Sequence, residues 1–189
     1  MRAAATRRSS GCGARGAHEP PAGDRVSRPA RLLLVYGGHA GGRTDRLRAA
    51  VVEGIAAAAA EALAADGTLV ELRERRALEA DVEDLLWAGG VLLGTPEHFG
   101  YMSGALKDFF DRSFYPAQGR TEGTPWALFV SAGNDGRGTV TAVERIVTGY
   151  GWQAVAEPLR VVGDPDEAAL ARARELGATL AAGLAAGIF

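Results

Sequence analysis

The sequence predicts a doubly wound α/β domain, a parallel sheet with helices on both faces, from three observations. From Arg31 onward, short apolar runs alternate five times with longer helical stretches. Three of those runs are nearly continuous in Val, Leu and Phe, as strands buried on both faces should be. Glycine-rich or small-residue loops follow the first, third and fourth runs, at the carboxyl edge where such sheets bind ligands.

The first strand is placed at Arg31–Tyr36, and its helix at Thr44–Ala65. Leu69–Arg73 is the second strand, followed by a short helix at Val82–Ala88. The third strand, Gly90–Gly94, leads through a Thr-Pro turn to a helix at Ser103–Phe114. Trp126–Ser131 and Val155–Val162 are the fourth and fifth strands, separated by a helix at Thr139–Gly149. The last helix, Asp166–Ala186, carries Leu170, Ala173, Leu176, Leu180 and Leu184 on one face, with Asp166 and Glu167 at its positive end.

Composition narrows the function. The chain has 189 residues, 47% hydrophobic and 7% aromatic, which describes an ordinary globular domain. No apolar run approaches the roughly 20 residues of a membrane-spanning helix, and residues 1–30 lack the apolar core of a secretory signal, so a cytoplasmic protein without membrane insertion is expected. The single cysteine, Cys12, excludes an internal disulfide and a cysteine-rich metal site. Residues 1–30 read as a disordered basic leader ahead of a domain at 31–189, with Gly, Ser and Pro throughout. Six arginines against Glu19 and Asp24 give the leader about +4, leaving about −6 of the net −2 on residues 31–189. That balance argues against a nucleic-acid-binding domain.

The loop "GGHAGGRT" after the first strand is one change from a triphosphate-binding loop ending Gly-Lys-Thr. Arginine is not a like-for-like replacement for that lysine, and no later strand ends in an Asp to position magnesium. The Gly-x-Gly-x-x-Gly dinucleotide turn is absent, so Glu71, after the second strand, is an acid without its fingerprint. What remains is general: backbone N–H groups and a helix's positive end aimed at an anion, most often a phosphate. Arg43 adds a charge-assisted contact. Thr44 has two readings, a plain N-cap or a bond to the anion.

Several conspicuous residues have structural readings. Lys107 and Asp111, at i and i+4, form a solvated helix pair. Phe109, Phe110 and Phe114 belong to the core, and Trp126 and Trp152 pack against helices. His39 and His98 face one another across two loops, but no carboxylate or cysteine cluster accompanies them, so no metal is expected. Asp135 either stabilises its turn or touches ligand.

The stretch "GVLLGTPEHFGYMSGALKDFFDRSFYP" resembles the flavodoxin-like superfamily, especially its NAD(P)H-dependent FMN reductase and quinone reductase branches. The resemblance extends through "RLLLVYGGHAGGRT" and "PWALFVSAGNDGRGTVTAVERIVTGYGW" to about residue 163. It implies a five-stranded flavodoxin-like sheet in the order 2-1-3-4-5 and FMN as cofactor. The FMN phosphate would sit on His39, Ala40, Gly41, Gly42, Arg43 and Thr44. The isoalloxazine ring would lie along Pro96, Glu97, His98, Phe99, Gly100, Tyr101 and Met102. Ala132, Gly133, Asn134, Asp135 and Gly136 would close the site, Asn134 bonding the pyrimidine edge. The family's phosphate loop runs Ser/Thr-x-Thr-Gly-x-Thr, whereas His39, Gly41 and Thr44 occupy those places, so two hydroxyl donors are replaced by the charge of His39 or Arg43.

The implied activity passes hydride from NAD(P)H, as co-substrate, through FMN to a quinone, flavin or similar small-molecule acceptor, in a homodimer or homotetramer. The cofactor carries the hard chemistry, so no catalytic acid or base is expected. Two alternatives stand beside it. A flavodoxin-type electron carrier would not oxidise NAD(P)H and would be expected to show a more acidic face than about −6 provides. A flavin-free binding module would account for the missing hydroxyls.

Overall fold

The first strand, β1 (Ala30–Tyr36), is apolar on both sides, and its alternating side chains divide the core in two. Leu33 and Val35 face one layer, with Leu85, Phe109 and Phe110, while Leu32 and Leu34 face the other, with Leu47, Val51 and Leu180. The computed structural model describes residues 29–189. The basic leader read from the sequence lies outside the described residues as far as 28, and Ala30 already pairs with Val70.

The alanine-rich helix α1 (Arg43–Asp66) follows, stopped by Gly67 at φ 79°, whose N–H returns to the Leu63 carbonyl. Strand β2 (Val70–Arg76) forms one edge of the sheet, a strand of charged residues in the sequence VELRERR. Helix α2 (Val82–Trp87) is capped by Asp81, which accepts the Asp84 N–H at 2.9 Å. Strand β3 (Gly90–His98) runs four residues beyond the predicted end, because Thr95 and Pro96 still pair with Val130 and Ser131 in the ladder. It turns back as β4 (Tyr101–Met102), a short antiparallel addition not read from the sequence.

Helix α3 (Gly104–Ala117) is capped by Ser103, and the wholly buried strand β5 (Pro125–Ala132) leads to α4 (Arg137–Tyr150). Of the predicted fifth strand, Val155–Val162, only β7 (Leu159–Val162) forms, and a two-residue strand not read from the sequence, β6 (Gln153–Ala154), precedes it; both are parallel to β5. Pro158 lies between them and offers no N–H to a ladder. The order β2-β1-β3-β5, with β6 and β7 beyond, is the predicted 2-1-3-4-5 arrangement with its last strand divided.

The final helix, α5 (Glu167–Ala185), is capped by Asp166, which accepts the Ala169 N–H at 2.8 Å. It packs backbone-close on α1. A Cβ at Gly54 would overlap the Arg174 carbonyl oxygen, and one at Gly177 the Val51 carbonyl oxygen. On the opposite face Tyr150 sits among Phe110, Phe114 and Trp152, its hydroxyl 2.9 Å from Ser113 Oγ and 3.2 Å from the Phe110 carbonyl oxygen. Burial pushes its phenol up to about 12.

The unfolded phenol ionises near 10, so the folded state's preference for the neutral form is fully expressed below about pH 10 and is lost as pH rises towards 12. Tyr150→Phe removes that titration. In urea unfolding at about pH 8 and about pH 11, the variant is expected to lose less stability between the two than the parent chain does. Equal losses would show that Tyr150 does not drive alkaline destabilisation.

Candidate functional site

Three loops converge at the carboxyl edge of the sheet, where the direction of strand order reverses between β1 and β3. The first joins β1 to α1. Gly38, at φ 102°, and Gly41, at φ 73°, take left-handed conformations that bend the chain over the end of the sheet. Gly37 donates its N–H to the Gly94 carbonyl at 2.8 Å. From β2, Arg76 Nη1 donates to the Gly38 carbonyl at 3.1 Å and braces the loop from outside.

The start of α1 is chemically open. Helices α2, α3 and α5 begin on side-chain caps, but α1 begins on Gly42 with no side-chain cap bond, and α4 likewise begins on Gly136. The first-turn N–H groups of a helix have no intrahelical acceptor. Thr44 is neither the cap nor a solvent-facing donor. Its Oγ1 lies 2.6 Å from Ser131 Oγ, a buried hydroxyl pair joining α1 to the end of β5. Only one proton is used between two hydroxyls, so the pair retains one O–H to donate.

Asp45 folds back on the loop. Its Oδ2 accepts the Gly41 N–H at 2.9 Å, and its Oδ1 accepts Arg48 Nε at 2.7 Å. These bonds, the Gly41 N–H foremost, hold the Asp45 carboxyl below its ordinary range. Arg48 is anchored in turn by Glu74 at 2.7 Å. Arg43 leans outward and pairs with Asp164 at 3.2 Å.

The second loop is the turn between β3 and β4. His98 and Tyr101 pair across it, and its central residues, Phe99 at φ 54° and Gly100 at φ 75°, are both left-handed. That is the conformation of a type I′ hairpin turn, which favours Asn-Gly; here an aromatic residue occupies the strained first place. Phe99 is fully exposed at the crest. The turn is seated on α4, since a Cβ at Gly138 would overlap the Gly100 carbonyl oxygen. Beneath it the buried Thr95 Oγ1 accepts the Ser103 N–H at 3.0 Å.

The third loop follows β5. Asn134 donates its N–H to Glu97 Oε2 at 3.0 Å, so the second and third loops are tied together. Asp135 closes its own turn by accepting the Arg137 N–H at 2.9 Å, and its carbonyl accepts Arg160 Nη1 at 2.8 Å.

Between the loops lies a cavity of about 400 Å³, within the usual range for small-molecule sites. Of the predicted residues, His39, Gly42, Arg43, Thr44, Pro96, Glu97, His98, Ala132 and Gly133 line it. Phe99, Gly100 and Asn134 line a second hollow of about 370 Å³ beside it, sharing Glu97 and Gly133. Ala40, Gly41, Tyr101, Met102, Asp135 and Gly136 line neither. Met102 is buried in the core, and Gly136 starts α4. Gly38 and Ser131 also line the main cavity and were not among the predicted residues. Ser131 had a signal in the sequence: it is a hydroxyl at the end of an otherwise apolar strand.

The other residues read as structural fall as expected. Lys107 and Asp111 pair at 2.7 Å on an exposed face of α3. Phe109, Phe110, Trp126 and Trp152 are buried, and Phe114 is partly so. Among the described residues, no group of three or more His, Cys, Asp or Glu is arranged to hold a metal ion, and no helix is long and apolar enough to cross a membrane.

The profile of the family described as NADPH-dependent FMN reductase matches residues 30–163, which contain all three loops. A protein named flavodoxin from Aquifex aeolicus (strain VF5) is 32% identical over 118 residues, 62% of this chain. The chain spans 58% of that relative's length. Among solved structures, an archaeal flavodoxin superposes with a TM-score of 0.67 at 17% identity, covering 82% of this chain and 98% of its own. A flavodoxin, WrbA-like protein from Agrobacterium tumefaciens superposes with a TM-score of 0.64 at 19% identity, covering 82% and 97%. At those identities the two structures are similar in fold alone.

Proposed function

The chain belongs to the NADPH-dependent FMN reductase family of FMN-binding oxidoreductases, and from that premise we propose that it transfers hydride from NAD(P)H through FMN to a quinone, flavin or similar small acceptor. The observation that supports the proposal is geometric: within the matched segment, three loops at the carboxyl edge of the sheet meet at one cavity against an uncapped helix start.

A phosphate suits the α1 end of that cavity. The first-turn N–H groups, the hydroxyl pair of Thr44 and Ser131, and the His39 side chain supply donors there, and Arg43, which pairs with Asp164, adds positive charge at the rim. Gly41 does not contribute its N–H, which is engaged by Asp45. Ser131 replaces, from β5, one of the hydroxyls missing from the loop itself. The backbone from Pro96 to Gly100 forms the wall along which the flavin ring would lie, and the loop at Gly133 and Asn134 forms the other. Phe99, with its ring free above the hollow, offers an aromatic surface to an incoming planar substrate.

When bound, FMN supplies the redox chemistry, taking up hydride from the nicotinamide and returning it to the acceptor. The protein's part is to anchor, orient and shield, which requires no acid–base pair.

Titration with FMN and with riboflavin, followed by flavin fluorescence, tests the assignment. FMN binding in the micromolar range or tighter, with riboflavin at least about tenfold weaker, is expected from a phosphate clamp. Loss of discrimination would sink the clamp, and no binding of either would sink the flavoenzyme reading. The flavodoxin from Aquifex aeolicus favours a second reading, a carrier of single electrons between proteins. NAD(P)H oxidation by the FMN-loaded protein separates the two, since only the reductase consumes it.

A further inference from the structure

Glu97 stands where two walls of the site meet. Its Oε2 accepts the Asn134 N–H at 3.0 Å, joining the loop after β3 to the loop after β5. With Gly133, it is one of two residues common to the main cavity and the hollow beside Phe99, so the bond lies along the line where these spaces join. The other charged or titratable lining residues are His39, Arg43 and His98, which makes Glu97 the one carboxylate on these walls. The nearby acids are directed elsewhere: Asp45 to Gly41 and Arg48, Asp164 to Arg43, and Asp135 to its own turn.

We propose that Glu97 is a positioning residue of the flavin slot, a clasp that fixes the gap between its walls and also holds a negative charge beside the flavin. The proposal rests on the reading of the site as an FMN slot. Its two parts separate chemically. The bond to Asn134 needs only an acceptor, which the amide oxygen of glutamine provides as well as a carboxylate does. The charge needs glutamate.

Uptake of two electrons and one proton leaves a flavin with one more negative charge than its oxidised form. A carboxylate at the edge of the slot opposes that added charge in a partly desolvated setting, so it makes bound FMN harder to reduce and a stronger donor once reduced. Neither the hairpin nor the Asn134 loop places a second acid on the walls to duplicate this effect.

The test compares the FMN-loaded full chain with Glu97→Gln and Glu97→Ala, measuring FMN affinity by fluorescence and midpoint potential by dye-referenced reductive titration. Glu97→Gln is expected to hold FMN within about threefold of the parent affinity and to raise the midpoint potential by roughly 30 mV or more, a tenfold shift in a two-electron equilibrium. Glu97→Ala is expected to raise the potential too and to weaken FMN at least about tenfold, because the walls are no longer joined. A glutamine variant at the parent potential, or an alanine variant at the parent affinity, overturns the proposal. If the parent chain binds FMN and either result appears, the clasp alone has failed. If the parent chain binds no FMN, the FMN reading has failed and the clasp falls with it.

Discussion

Gly54→Ala is expected to destabilise the protein by about 2 kcal/mol, even though alanine is favoured over glycine within a helix by about 1 kcal/mol. The two effects oppose one another, and the contact with α5 decides between them. The added methyl would overlap the Arg174 carbonyl oxygen, a backbone atom that no rotamer change can move aside. Helix α5 would have to shift as a unit, and Gly177, which meets the Val51 carbonyl in the same seam, limits where it can go. Overpacking of this kind costs about 1–3 kcal/mol, and more against backbone than against a flexible side chain. For a domain of this size, the melting temperature should fall by about 4–8 °C. Gly104 is the control. It begins α3 with open space around its missing Cβ, so Gly104→Ala should leave the melting temperature unchanged or slightly raised. Thermal melts in which both variants move the same way would show that propensity, not packing, governs these glycines.

Thr44→Val should reduce FMN affinity by roughly ten- to a hundredfold while changing riboflavin affinity by less than about threefold, since a hydrogen bond to a charged group is worth about 1.5–3 kcal/mol. The substitution preserves shape but removes one member of the buried hydroxyl pair at the phosphate end of the cavity. Ser131 Oγ, a buried hydroxyl, then loses its partner. A smaller loss of fold stability, about 1 kcal/mol, should accompany the binding defect for that reason. Ser131→Ala removes the other member, and the double variant should show non-additivity, because each single change already breaks the pair. Parallel FMN and riboflavin titrations check the result. Equal weakening of both ligands would place Thr44 away from the phosphate.

These two cases mark the boundary of what the sequence reveals. The apolar runs disclosed the three inner strands β1, β3 and β5, because a strand buried on both faces has to be continuous in large apolar residues, while the two border strands were legible only from their place in the alternation of strands and helices. They did not disclose the break at Pro158, where β-favourable residues flank a chain stretch that leaves the ladder. Nor did they disclose the continuation of β3 through Pro96, which its neighbour β5 holds in register. The three loops were legible as a site because glycine and small residues cluster there. Their internal bonding was not. Thr44 reaches a residue 87 positions away, and Asn134 a carboxylate 37 positions away, distances over which local spacing carries no information. Arg43 looked like an anion ligand by position, yet its present partner, Asp164, comes from the turn before α5.

The sheet's two borders have a consequence for assembly. One is β2, where five of seven residues carry charge, and the other is formed by β6 and β7, short pieces interrupted at Pro158. A strand from another molecule arriving at either side would meet a palisade of ions or a ladder too short to grip. Both borders thus act as end-stops against growth by strand addition, the route by which flat sheets run on into fibrils. Among the described residues, the helices and loops are thus the surfaces left open to another copy of this chain, and each sheet is built to stay finite.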